Sequence, residues 1–193
     1  MTNLAWNVER VLPSAIADLH RLISIPSISS MPEHDADVAA CADAVSGLFR
    51  DLGASEVKLL DGGGKPAVWA NFPGPEGSPT VLLYAHYDVQ PTGDADAWTS
   101  PAFEPTERDG RLYARGSADD KGGVALHVAA LRVFNGKPPV GVKVFIEGEE
   151  EVGSPSMPTL LDRYRDELAA DVYVVADSVN WEVGKPSLTT SLR

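Results

Sequence analysis

Four segments of the sequence place histidine or carboxylate side chains after short apolar runs, and this pattern constrains the fold most. The segments contain His86 and Asp88, Asp119 and Asp120, the glutamates at 149–151, and Asp177. Proteins of the α/β class collect their functional groups at the carboxyl ends of sheet strands. The pattern therefore predicts an α/β fold in which these side chains meet at one site.

Hydrophobic periodicity divides the chain into alternating helices and strands. Apolar residues at helical spacing predict helices over 8–23, 38–52, 121–134 and 157–168. Short apolar runs predict strands over 56–60, 67–71, 80–85, 140–146 and 172–176, and the stretch 91–111 is predicted to be loop-rich. This alternation predicts a layered α/β domain with a mostly parallel, mixed sheet.

Composition excludes some partners. The net charge of −12 argues against nucleic acid or an anionic membrane as the main partner. No run approaches the ~20 apolar residues that a membrane helix needs. The single cysteine, Cys41, excludes an internal disulfide and fits a reducing compartment, and it is expected to be a buried structural thiol. The N-terminus shows no signal peptide, so a cytoplasmic location is expected.

The first two polar segments favour divalent metal ions. His86 and Asp88 are two residues apart at the end of a predicted strand, so both side chains are expected on one side of it. Imidazole is a good ligand for zinc, cobalt or manganese, and a neighbouring carboxylate fixes its tautomer. Asp119 and Asp120 precede a predicted helix that one of them could cap. The other could bridge two metal ions.

The last two segments add further carboxylates. Three consecutive glutamates after an apolar strand bring like charges together, and a bound cation would offset their repulsion. A solvated turn would also tolerate three such charges. One glutamate could bind a metal while its neighbour takes a proton from water. Spacing alone does not decide which glutamate does which. Asp177 ends the fourth apolar run and could equally be a strand terminator.

In this order, the four motifs resemble those of the dinuclear-zinc metallopeptidases. This family includes aminoacylase, glutamate carboxypeptidase, succinyl-diaminopimelate desuccinylase and the carnosinase-like dipeptidases. The resemblance extends from about Leu19 to Arg193, and the residues at 86–91 and 116–122 are most similar to the dipeptidase branch. The resemblance implies a three-layer helix/sheet/helix catalytic domain of the zinc-exopeptidase type.

The resemblance also implies a ligand set for two divalent metal ions, zinc being the first expectation and manganese or cobalt the alternatives. By that similarity, His86, Asp119 and Asp177 hold one ion. Asp119 also bridges to a second ion, which Glu151 holds.

Roles in catalysis follow from the same resemblance. Glu150 corresponds to the general base, and Asp88 to the residue that orients the metal-binding histidine. The implied reaction is hydrolysis of the amide bond of a dipeptide, or of a small N-acyl amino acid, by a water activated between two metal ions.

Family members are longer than this chain and insert a lid or dimerisation domain into the catalytic domain. Residues 1–193 are therefore expected to be the N-terminal portion of the catalytic domain, incomplete at its C-terminus. The lid, through which the full-length protein is expected to form a homodimer, is expected to be absent. Because the family's last metal-binding histidine follows the lid, this portion is expected to hold its second metal weakly and to hydrolyse little.

The remaining histidines do not match that missing ligand. His20 and His34 lie outside the motifs, and His127 shares a predicted helical face with apolar residues and is expected to be a core histidine. Two other functions stay open. The first is an N-acyl amino acid deacylase or desuccinylase, and the second is a non-catalytic metal-binding module. The intact pair Glu150 and Glu151 argues against the module.

Overall fold

The computed structural model of the chain describes residues 4–189. The helices are α1 (Leu4–Ile23), α2 (Asp35–Asp51), α3 (Lys121–Val133), α4 (Met157–Arg163) and α5 (Arg165–Leu168). The strands are β1 (Glu56–Leu60), β2 (Ala67–Phe72), β3 (Thr80–His86), β4 (Thr106–Arg108), β5 (Arg111–Tyr113), β6 (Gly141–Glu147) and β7 (Val172–Val175). Short 3-10 turns lie at Pro32–His34, Ala95–Ala97 and Glu150–Val152.

Five strands form one mixed sheet in the order β1-β2-β6-β3-β7. Strand β2 pairs antiparallel with both β1 and β6, whereas β3 pairs parallel with both β6 and β7. The mixed sheet is thus confirmed, with two of its four pairings parallel. Because β3, β6 and β7 run in the same direction, their carboxyl ends share one edge. His86 is paired there with Glu147.

Side chains alternate between the two faces of the sheet, and each face is covered by helices. On β2, for example, Val68 and Ala70 belong to one core cluster, whereas Ala67 and Trp69 belong to the other. Helices α2 and α3 and the end of α1 pack on the first face, and α4 and α5 pack on the second. This arrangement confirms the layered α/β fold, with the mixed sheet lying between helices.

Two predicted elements differ from the observed ones. The helix expected over 157–168 is interrupted at Tyr164, where φ is −115° and ψ is 34°. The stretch 91–111, predicted to be loop-rich, leads into an antiparallel hairpin of β4 and β5. Asp109 and Gly110 both have positive φ in the turn of this hairpin. An Asp-Gly pair between short strands is the signal that would have predicted it.

Several predicted core residues are where the sequence places them. Cys41 is fully buried, which confirms it as an interior thiol. His127 is buried and its Nε2–H donates to the Tyr84 carbonyl oxygen at 2.8 Å, as expected of a satisfied core histidine. Helix α3 is mostly buried, although Leu126 is 62% exposed. No helix among residues 4–189 has the length and apolar character needed to cross a membrane.

Candidate metal centre

His86 is the centre of the site. It is the last residue of β3 and is fully buried. Its Nδ1 lies 3.0 Å from the backbone oxygen of Asp88 and 3.3 Å from the Asp88 Oδ1 atom. When the ring is neutral and its proton on Nδ1 is donated to Asp88, the Nε2 lone pair is available to another partner.

Three carboxylates from distant parts of the chain surround that Nε2 atom. Asp119 Oδ1 lies 3.0 Å from it, Glu150 Oε2 lies 3.9 Å away and Asp177 Oδ2 lies 4.0 Å away. They come from the loop before α3, the turn after β6 and the segment after β7. The predicted site residues are therefore brought together at the carboxyl edge of the parallel strands.

The charges of the site act strongly on one another. Burial lowers the pKa of His86, but the hydrogen bond and charge of Asp88, with the charges of Asp120 and Asp177, outweigh this and raise the pKa to about 10. Burial also raises the pKa of Glu150, which the charge of His86 partly opposes. A cluster of carboxylates around one imidazole is the arrangement in which a bound cation relieves repulsion.

The two adjacent aspartates face in different directions. Asp120 is fully buried and caps α3, since its Oδ1 accepts from the Gly123 N–H at 3.2 Å and its Oδ2 accepts from the His86 N–H at 3.1 Å. Burial raises its pKa to about 7. Asp119 has a 64% exposed side chain turned toward His86 Nε2. The structure thus identifies Asp120 as the capping residue.

The three consecutive glutamates are also distinguished by the structure. Glu149 is buried and its carboxylate accepts from the backbone N–H of Lys65 at 2.9 Å and of Ser156 at 3.3 Å. The side chain of Glu150 approaches His86. The backbone N–H groups of Glu150 and Glu151 donate to Asp88 at 3.2 Å each.

Glu151 is held by a residue that the sequence analysis did not single out. The Gln90 backbone N–H and side-chain Nε2 donate to the Glu151 carboxylate at 3.2 and 2.8 Å, and Nε2 also donates to the Glu151 backbone oxygen at 3.0 Å. Gln90 follows Asp88 by two residues, and this proximity to a motif was its only signal in the sequence. It fixes the carboxylate predicted to hold the second metal.

Two groups of potential ligand atoms, each within 4.8 Å of one another, occur in the described part of the chain. They are His86 with Asp119 and Glu151, and His86 with Asp120 and Asp177. Both carboxylate oxygens of Asp120 already accept backbone N–H groups, so the carboxylate oxygens of Asp119 are more available to bind a metal ion. One imidazole with several carboxylates is a donor set that suits zinc, manganese or cobalt. The residues present therefore fit divalent metal ions.

A buried lysine, next to Asp120 in the chain, joins the start of α3 to the end of α1. Lys121 is fully buried, and its Nζ donates to the carbonyl oxygens of Leu22 at 2.8 Å and Ile25 at 2.6 Å. Burial lowers its pKa. Two residues after Ile25, Ser27 Oγ donates to the Tyr87 carbonyl oxygen at 2.7 Å. The end of α1 is thereby fastened to the start of α3 and to the segment that follows β3.

A cleft of about 540 Å³ opens beside the candidate ligands. Asp119 and Asp177 form one part of its wall, and the rest is contributed by Ala118, Ser178, Val179, Asn180, Val183 and Gly184. The exposed carboxylates of the centre are therefore accessible to a small molecule.

The family model described as "Peptidase family M20/M25/M40" matches residues 82–190, which include every candidate ligand. The chain belongs to this peptidase family. The M20-type chain is 40% identical to a cysteinylglycine-S-conjugate dipeptidase of Corynebacterium striatum over 99% of this chain and 42% of that protein. It is 31% identical to a beta-Ala-His dipeptidase of Rattus norvegicus over 89% of this chain and 38% of the relative.

A solved structure shows the same fold. Human carnosine dipeptidase 1 matches the M20-type chain with a TM-score of 0.84 and 27% identity, over 91% of this chain and 41% of that one. The chain thus spans about two fifths of the length of the relatives it matches. The family resemblance seen in the motifs is confirmed.

Proposed function

We propose that this chain carries the metal centre of a dipeptidase that hydrolyses the amide bond of small peptides. The observation that carries the proposal is the convergence of Asp119, Glu150 and Asp177 on the Nε2 atom of His86. The likeness to proteins named as dipeptidases supports the substrate class. It extends over nearly the whole of this chain.

The residues that would hold divalent metal ions are those predicted from the motifs. His86, Asp119 and Asp177 would bind one ion, and Asp119 with Glu151 would bind the other. When bound, such ions polarise a carbonyl group and make a water molecule more acidic. The exposed carboxylate of Asp119 and the buried imidazole of His86 supply the mixed donor set that zinc accepts.

Glu150 is the proposed general base. Its Oε2 faces the centre 3.9 Å from His86 Nε2, and burial raises the pKa of its carboxyl group. A carboxylate with a raised pKa is a better proton acceptor than an ordinary one. We propose that it takes a proton from the attacking water and passes it to the nitrogen of the leaving amine.

Asp88 is the proposed orienting residue. It is fully buried, it receives the Nδ1–H of His86 and it accepts the backbone N–H groups of Glu150 and Glu151. It therefore fixes the ring that would bind metal and the turn that carries the base. Support of this kind sets the basicity and direction of metal-binding residues.

Several finer expectations stay predictions. They are zinc as the native metal, a dipeptide rather than an N-acyl amino acid as substrate, and a homodimer of the full-length protein. The cytoplasmic location is likewise a prediction, and the buried free thiol of Cys41 fits it. The assignment of residues 1–193 to the N-terminal portion of a catalytic domain also stays a prediction.

The test combines metal content with hydrolysis. The purified protein is saturated with zinc, the excess zinc is removed and the bound zinc equivalents per chain are counted. The zinc-loaded protein is then assayed against Cys-Gly, β-Ala-His and N-succinyl amino acid substrates. We expect at least one tight equivalent, and we expect dipeptides to be preferred where turnover is measurable. Absence of bound metal would contradict the proposed centre, and preference for the N-succinyl substrates would favour the deacylase.

The Glu150→Gln variant tests the base separately. The amide keeps the size of the side chain and removes its ability to accept a proton, so turnover of the full-length enzyme should fall by roughly 100-fold or more. Metal content should stay within about twofold of the unchanged protein. Loss of metal in this variant would show that Glu150 is a ligand and that the roles of the glutamates are exchanged.

A further inference from the structure

Glu149 differs from its two neighbours in being turned away from the centre. It is 6% exposed, and its carboxylate accepts from the Lys65 backbone N–H at 2.9 Å and the Ser156 backbone N–H at 3.3 Å. The Ser156 hydroxyl donates to the same carboxylate. Three donors from two separate segments therefore end on one buried side chain.

These contacts join the turn at 149–152 to two other elements. Lys65 lies between β1 and β2, 84 residues earlier in the chain, and Ser156 immediately precedes α4. A Cβ atom added at Gly64 would overlap the Glu149 carboxylate. The approach of the β1–β2 loop to Glu149 thus depends on the absence of a side chain at residue 64.

The opposite side of the turn is held by Asp88. Its two carboxylate oxygens accept the backbone N–H groups of Glu150 and Glu151 at 3.2 Å each. The backbone oxygen of Glu149 accepts from Val152 and Ser154 at 3.2 and 2.8 Å. The peptide units that carry Glu150 and Glu151 are therefore fixed between Asp88 on one side and the Glu149 side chain on the other.

We propose that Glu149 is a positioning residue that orients Glu150 and Glu151 by anchoring their turn to the β1–β2 loop and to Ser156. The inference rests on the proposed function, because it concerns the base and a ligand of that centre. Only a side chain with two acceptor oxygens can receive the N–H groups of Lys65 and Ser156 together. An apolar residue would fill the space but leave these buried donors without partners.

The experiment has two readouts on the whole chain. Hydrogen exchange, followed by mass spectrometry in the absence of metal, measures protection of the amides at 148–154. Displacement of a chromophoric chelator measures Co²⁺ affinity at a temperature at which every variant is folded by circular dichroism. The variants are Glu149→Ala, Glu149→Gln and Gly64→Ala.

Two controls separate positioning from a general loss of stability. Leu48→Ala removes a buried side chain from the core beneath α2 and does not involve the turn. Gly47→Ala matches Gly64→Ala, but a Cβ at residue 47 meets no atom within 4 Å. Both controls should leave protection of the 148–154 amides and Co²⁺ affinity within about twofold at a temperature where they are folded.

We expect Glu149→Ala to speed exchange at the Glu150 and Glu151 amides by about tenfold or more and to weaken Co²⁺ binding by about 10- to 100-fold. Gly64→Ala should act in the same direction while leaving the carboxylate intact. Glu149→Gln should lose less of both properties than Glu149→Ala, because its amide oxygen still accepts from Lys65, but its NH₂ group leaves the buried Ser156 backbone N–H without an acceptor.

The outcomes distinguish this inference from the proposed function. Unchanged exchange in Glu149→Ala, or equal loss of protection in Glu149→Ala and Leu48→Ala, would overturn the positioning role. Unchanged Co²⁺ affinity in Glu149→Ala would also overturn it. If the unchanged protein binds no Co²⁺ but the exchange result is as expected, the restraint on the turn stands and the proposed metal centre fails.

Discussion

The Asp119–Asp120 pair and the Glu149–Glu150 pair each contain one buried and one more exposed acidic residue, but the buried acids are anchored differently. In each, one carboxylate is buried and accepts backbone N–H groups, whereas its neighbour faces His86 Nε2. The buried member fixes the backbone, and the other is the proposed ligand of a cation or acceptor of a proton. Adjacent acids therefore reduce their mutual repulsion by dividing these tasks.

The two pairs differ in where the buried acid is anchored. Asp120 accepts from Gly123, three residues later, as a capping residue does. Glu149 accepts from Lys65, which is 84 residues away. The cap forms with its own helix, and the second contact of Asp120 reaches His86, 34 residues away, whereas the contact of Glu149 with Lys65 requires the more distant β1–β2 loop to be in place. We expect the aspartate region to be the more local of the two and the glutamate region to depend more on the whole fold.

The largest expected effect comes from removing the partner that both regions share. His86→Ala should weaken divalent metal binding by at least about 100-fold, since His86 belongs to both candidate ligand groups. Isothermal titration with zinc measures it. His34→Ala is the control, because His34 Nδ1 pairs with Asp37 at 2.7 Å and belongs to neither candidate group. Similar losses in both variants would show that His86 is not the centre.

Changing the two aspartates separately tests the division of tasks directly. Asp119→Ala should weaken zinc binding by about 100-fold, as expected for loss of a ligand, but lower the free energy of unfolding by only about 0.5 kcal/mol, because its side chain is exposed. Asp120→Ala should lower the free energy of unfolding by about 2–4 kcal/mol through a lost cap and a buried unpaired N–H group.

Urea unfolding of the metal-free proteins and zinc titration at low temperature measure the two effects of the aspartate variants. If Asp119→Ala is the more destabilising variant, or Asp120→Ala alone loses zinc while remaining folded, the division of tasks between the aspartates is wrong.

Asp88 links the two regions through His86 and the glutamate turn, so its alteration should disturb both. Asp88→Asn keeps the shape but directs an NH₂ group toward a backbone N–H that now needs an acceptor. We expect zinc affinity to fall by about 10- to 100-fold and exchange at the Glu150 or Glu151 amide to rise. Asp94→Asn, at an exposed turn outside the centre, should change neither property. An unchanged zinc affinity in Asp88→Asn would remove the proposed orienting role.

The smallest expected effect concerns the outward side of the glutamate region. Gln90→Ala removes the side-chain donor to Glu151, but the Gln90 backbone N–H still donates. Zinc affinity should therefore fall by about two- to fivefold, as for one partly exposed hydrogen bond. Competition with a zinc-binding dye resolves such a change. A loss as large as that of Asp119→Ala would make Gln90 as important as a ligand.

Much of the fold could be predicted from local pattern. Apolar runs place β3 and β6 within one or two residues of their observed ends, because a buried strand needs continuous apolar side chains. The break at Tyr164 and the β4–β5 hairpin were not predicted. The apolar spacing continues through the first, and in the second the Asp109–Gly110 signal lies between strands of only three residues each.

The sequence by itself determined which chemical groups meet: an imidazole and several carboxylates, each placed after an apolar run that forms a strand or before a helix. Only the tertiary structure decided which carboxylate faces which way. Asp119 and Asp120, like Glu149 and Glu150, have the same side chains in similar local sequences. Their different roles arise from the backbone donors of β3, the β1–β2 loop and Ser156, which only the folded chain brings within hydrogen-bonding distance.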